Sequence, residues 1–214
     1  LGADDASNVF FSSIHGFGAD APPPGPDADD DDDESPVGLF YPGSGGPATS
    51  SEAPRICNLP VALRTPSGRW RRVMLEKMLL PLAAFAPDLV VICAGFDAHA
   101  HDPLEAGGLH EVDYEWMTQE LVGIAETHCE GRVVSVLEGG YRVTGGALSS
   151  LARAAGAHVG ALMDTSLAGV KWRADAATQR LDAAIATDEA ARTARAERQQ
   201  AAREAAREKA REAA

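Results

Sequence analysis

Two short runs of β-branched and apolar residues, 88–94 (DLVVICA) and 132–138 (RVVSVLE), constrain this chain more than any other feature. Neither alternates apolar with polar residues, so each reads as a strand buried on both faces, as in a parallel sheet covered by helices. Residues 8–14 (NVFFSSI) form a third strand candidate. Helical segments are predicted at 69–85, 112–129 and 145–163. In the second, Tyr114, Met117, Leu121, Ile124, Ala125 and His128 recur three and four apart. Strand, helix, strand repeated is an α/β pattern, and its ligand site is expected in the loops beyond the carboxyl ends of the strands.

The flanking segments differ in kind. Residues 18–36 (GADAPPPGPDADDDDDESP) are Pro-rich and then acidic, so they repel themselves, bury nothing and read as a solvated, disordered insertion. From about Asp175 the chain is dominated by Ala, Arg and Glu. Arg203, Arg207 and Arg211 form one i+4 column and Glu204, Glu208 and Glu212 the next, which predicts a long solvated helix. The division expected is a domain over 1–170 and a helical tail over 171–214. Ten of the 19 Lys+Arg and eight of the 32 Asp+Glu lie from Lys171 onward, so the first 170 residues carry a net charge of −15. Such a body disfavours binding to nucleic-acid phosphates and suits a basic substrate such as a Lys-rich tail.

Composition narrows the class further. With 214 residues and 45% hydrophobic content the chain is long enough for one real core. Cys57, Cys93 and Cys129 lack CxxC spacing and read as reduced thiols of a nuclear or cytoplasmic protein. No apolar run reaches the ~18 residues of a membrane span.

The loops carry the chemistry. After 88–94 come Gly95-Phe96-Asp97-Ala98-His99-Ala100-His101-Asp102-Pro103; after 132–138 come Gly139-Gly140-Tyr141-Arg142. Each places glycine where a strand stops and then a functional group. Pro103 forces Asp102 into an extended or turn conformation, which argues against all four of Asp97, His99, His101 and Asp102 binding one ion. Read alone, the loop offers one carboxylate ligand and two structural histidines.

The string AGFDAHAHDPL, followed by LEGGY and AHVGAL and preceded by SSIHGFG and FYPGSG, resembles the zinc-dependent histone deacetylase family, its class II branch and the acetylpolyamine amidohydrolases in particular. The resemblance runs over residues 8–162. It implies a three-layer αβα parallel sheet of the arginase/deacetylase type, here incomplete on its N-terminal side, plus the long C-terminal helix. It also implies that Asp97 is a ligand of a catalytic Zn2+ and that Tyr141 polarises the acetyl carbonyl and holds the oxyanion. By the same resemblance Tyr41 lines the acyl-lysine channel, Gly139 and Gly140 let the Tyr141 loop approach substrate, and Ser13 and Ile14 border a structural K+. Tyrosine rather than histidine at position 141 matches the active type.

The family also uses a His-His pair and an Asp-x-His motif upstream of SSIHGFG; no His-His pair occurs in these 214 residues and no Asp-x-His precedes SSIHGFG. One carboxylate does not hold zinc where catalytic sites use three protein ligands. The chain therefore reads as the C-terminal part of the domain, inactive and poorly stable alone. Three functions follow. The first is hydrolysis of N-acetyl-lysine in histones or other proteins. The second is an acetylpolyamine amidohydrolase. The third is a noncatalytic truncated protein that binds a partner through its acidic loop or its helix.

Overall fold

The computed structural model describes residues 8–16, 45–46, 55–104 and 107–187, with single helical positions at 190, 193–194 and 198. The acidic insertion at 18–36, Tyr41 and the Arg/Glu columns of the tail lie outside the described residues. Two compact units divide at Ala174/Asp175. The second is helical over 175–187, within an element named α5 that starts at 174.

The first unit holds two parallel strand pairs. β1 (Phe10–Gly16) pairs with β2 (Arg55–Val61), Phe10 opposite Arg55 and Gly16 opposite Val61, and Ser12 Oγ donates to the Cys57 carbonyl at 3.2 Å. β3 (Val90–Ala94) pairs with β4 (Val133–Leu137), Val90 opposite Val133 and Ala94 opposite Leu137. The strands read at 88–94 and 132–138 are thus present, and the one read at 8–14 sits two residues later. β2 was not foreseen, because Pro60 in RICNLPV demotes the run. In a two-stranded ladder a proline without an N–H is tolerated on the side away from the partner.

Helix α1 (Ser67–Met74) passes through a π-helical segment (Leu75–Leu79) into α2 (Leu80–Phe85). Pro81 has no N–H to offer the carbonyl of Lys77, four residues back, and a π segment is a common response to a broken ladder. That carbonyl accepts instead from Cys57 Sγ on β2, at 3.1 Å. The helix stops at Ala86, which is left-handed at φ 55° and is followed by Pro87.

α3 (Glu111–Cys129) and α4 (Ser150–Leu162) pack on the same face of the β3–β4 pair. Val90 forms a core cluster there with Ala125 and Cys129 of α3, joined by Ile92 and Val133. The opposite face behaves differently from the sequence expectation. Val91 is 58% exposed and Val134 and Val136 are each 49% exposed, so only one face is buried among the described residues. The β-branched run suits a sheet covered twice, but α3 and α4 cover it once.

Two buried polar groups inside this core, Asp113 and His158, are hydrogen-bonded. Asp113 in the first turn of α3 accepts from Arg71 Nε at 2.6 Å, from Ser67 Oγ, and from the His110 N–H at 2.7 Å, which fixes the start of the helix. His158 of α4 bridges Thr118 Oγ1 of α3 at 2.7 Å and Ser135 Oγ of β4 at 2.8 Å. Thr118 gives its own proton to the Tyr114 carbonyl, so it accepts from Nδ1–H of His158 and leaves Nε2 to accept from Ser135. Burial lowers the His158 pKa and favours that neutral ring.

Candidate functional site

The site is built where β3 and β4 end side by side. Past the last ladder residues the chains stay joined: the Glu138 N–H donates to the Ala94 carbonyl at 3.0 Å and the Phe96 N–H to the Gly139 carbonyl at 2.8 Å. Phe96 is 3% exposed; its carbonyl takes the Tyr114 hydroxyl at 3.2 Å, and its ring contacts Tyr114 and His158. Anchoring Phe96 inward turns the next residue, Asp97, to the end of the sheet.

The Asp97 carboxylate lies over Gly139 so closely that a Cβ there would fall 2.9–3.0 Å from its carbon and oxygens. Gly140 sits at φ +124°, and a Cβ on it would meet Leu151 Cδ1 at 2.7 Å and Phe96 Cβ at 3.0 Å. The Gly-Gly pair is therefore required by the approach of the two loops to each other. Burial raises the Asp97 pKa, the negative charges of Asp102 and Glu138 add to it, and two local backbone N–H groups oppose it. A half-buried carboxylate facing other carboxylates is an anion in want of a cation.

Tyr141 follows the glycines and is 55% exposed. Its N–H donates to Asp102 Oδ2 at 2.8 Å. The structure thus brings Asp97, Gly139, Gly140 and Tyr141 to one end of the β3–β4 pair. Ser13 and Ile14 lie instead in the β1–β2 ladder, opposite Asn58 and Leu59, and Ser13 Oγ is hydrogen-bonded to His15 Nδ1 at 2.9 Å. Tyr41 lies outside the described residues.

His99, His110 and Glu111 also converge, with ligand-type atoms all within 4.8 Å of one another. His99 is 1% exposed. Its Nδ1 accepts the His101 N–H at 3.0 Å, so in the neutral ring Nε2 carries the proton and faces Glu111 Oε1 at 3.4 Å. A metal at Nε2 would require a ring with no proton on either nitrogen, and Arg153 Nε already donates to the same Glu111 oxygen. Burial alone would raise the Glu111 pKa, but its own backbone N–H, Arg153 and His99 hold it down to about 2. Burial likewise lowers the His99 pKa. His99 faces Glu111 of α3, and Glu111 accepts from Arg153 of α4, so these side chains run from the site loop to both helices.

Asp97 belongs to no group of three metal-ligating side chains among the described residues. Its oxygen donor suits zinc as one ligand, but the described residues do not complete a zinc site. Sequence reasoning missed Asp102, setting it aside as a turn residue. Asp-Pro was the available signal, since such a carboxylate caps its own turn, and Asp102 Oδ1 does accept the Leu104 N–H at 3.0 Å.

The Histone deacetylase domain matches residues 3–162. Type-2 histone deacetylase 2 of Dictyostelium discoideum is 33% identical over 131 residues, covering 58% of this chain and 8% of that protein. A histone deacetylase-like amidohydrolase of Pseudomonas aeruginosa is 41% identical over 108 residues, 49% of this chain and 28% of that protein. Among solved structures, the histone deacetylase Clr3 superposes with a TM-score of 0.56 at 25% identity, over 83% of this chain and 27% of that one. The chain thus spans under a third of each of these relatives. With the domain match covering most of its length, the chain belongs to the histone deacetylase family.

Proposed function

We propose that this chain supplies part of the active site of a zinc-dependent deacetylase that hydrolyses N-acetyl-lysine in histones or other proteins of the nucleus or cytoplasm. In that reaction a water oxygen bonds to the acetyl carbonyl carbon, the C–N bond breaks, the lysine nitrogen takes a proton and acetate leaves. Bound zinc would supply Lewis acidity and lower the pKa of water. Asp97 is proposed as one of its ligands, with the other two expected from an Asp-x-His motif, and the general base and acid from a His-His pair, outside this sequence. Tyr141 donates its phenol proton in a hydrogen bond to the oxygen that becomes negative. Tyr41 is assigned to the wall of the acyl-lysine channel, and Ser13 and Ile14 to a potassium site.

The observation that carries this reading is the placement of Asp97 against Gly139, with Tyr141 two residues on. Metal ligand and oxyanion donor then act on the same carbonyl from neighbouring strand ends. A second reading keeps the same amide hydrolysis with the acetyl amide on a small polyamine; the relative from Pseudomonas aeruginosa is named a histone deacetylase-like amidohydrolase.

The test is acetate release by a domain that joins this sequence to the upstream histidine motifs. Tyr141→Phe should lower kcat about 10²–10³-fold, the usual loss for an oxyanion donor, with KM little changed. An unchanged kcat sinks the assignment. An acetylated peptide turned over faster than acetylspermidine supports the protein deacetylase, and the reverse order supports the amidohydrolase. The 214-residue chain by itself, with added Zn2+, should release no acetate above background.

A further inference from the structure

Asp102 is 3% exposed, and its carboxylate is shared between two loops. Oδ1 accepts the Leu104 N–H at 3.0 Å within its own loop. Oδ2 accepts the Tyr141 N–H at 2.8 Å and the Arg142 N–H at 3.3 Å, from the loop that follows β4. Arg142 Nε returns a bond to the His101 carbonyl at 2.9 Å. Buried carboxylates that accept several N–H bonds hold backbone firmly. Tyr141 is 55% exposed, and its backbone N–H tethers it to Asp102.

We infer that Asp102 is a positioning residue: it fixes Tyr141 relative to Asp97 by clamping the backbone of the loop after β4 to the loop after β3. This rests on the reading of Tyr141 as oxyanion donor and of Asp97 as metal ligand. Aspartate suits the task because one oxygen serves each loop. Asparagine has a single acceptor oxygen and must abandon one side. A misplacement of ~1 Å at a reacting group can cost about 10²-fold in rate, so the clamp bears on catalysis without touching substrate.

Two measurements test it. The first is amide hydrogen exchange in the 214-residue chain. Asp102→Ala should speed exchange at Tyr141 and Arg142 about tenfold or more, with Asp102→Asn between it and the parent. Val134 and Val136 should keep their rates in both. Unchanged exchange at Tyr141 overturns the clamp, and so does equal acceleration throughout β4. If Asp102→Ala loses all protection, Asp102→Asn decides on the same criterion. The second is kinetics in the domain carrying the upstream histidines: Asp102→Asn should lower kcat with KM nearly unchanged. If Tyr141→Phe lowers kcat and Asp102→Asn does not, the positioning role fails and the site assignment stands. If Tyr141→Phe itself has no effect, the site assignment fails, while the exchange data still judge the clamp.

Discussion

A carboxylate whose pKa is raised by folding weakens the fold wherever it is ionised, and Asp97 is such a group. Below the unfolded value of about 3.9 both states are protonated and the penalty vanishes. As pH rises, the unfolded chain releases the proton first, so stability falls and stays reduced above the folded pKa. Asp97→Asn should therefore raise the urea midpoint of the metal-free chain at pH 7 and leave it unchanged near pH 3. Functional groups held at a cost to stability behave this way. His158 has the opposite sense. Its folded pKa is lowered, so its contribution is complete above about pH 6.5 and is lost as the unfolded chain takes up a proton below that. His158→Gln should flatten the decline of stability between pH 7 and 5, as read by denaturant midpoints at each pH.

At the scale of elements, strand ends matter more than strands. Gly140→Ala adds a methyl at φ +124° and 2.7 Å from Leu151 Cδ1. It should cost about 1–3 kcal/mol in an unfolding titration, from left-handed strain and overpacking together. The same region shows how far sequence carries. β3, β4, α3 and α4 were legible because β-branched runs and three-and-four spacing are local signals. The Asp97 and Tyr141 loops were legible because glycine followed by a functional group at a strand end is equally local. β2 was hidden by Pro60, whose tolerance depends on which neighbours a strand has. The roles of Asp102, His158 and Glu111 were hidden because each is defined by partners 23 to 42 residues away, and nothing along the chain records such a distance.

At the scale of the molecule, the β3–β4 pair is dressed on one side only. Val91, Val134 and Val136 form an apolar stripe that α3 and α4 do not reach. Contiguous exposed apolar surface of this kind promotes association. The family match ends at residue 162, yet the first compact unit continues to Ala174. The added segment is bonded to α3: the Trp172 N–H donates to Thr127 Oγ1 and its indole N–H to Glu120 Oε2, both at 2.6 Å. Its ring fills the space above Gly123, where a Cβ would lie 3.0 Å from Cδ1. A version ending at residue 162 should melt several degrees below one ending at 174, since losing two part-buried hydrogen bonds and the packing of the indole costs about 2–4 kcal/mol.

The seat of Trp172 on Gly123 has a practical corollary. It places an indole, bonded to a carboxylate, on the back of the helix whose front supports the site loop. Its emission should therefore respond when α3 loosens. Cloning limits drawn from similarity alone would discard both the last fastening of the domain and its built-in optical reporter.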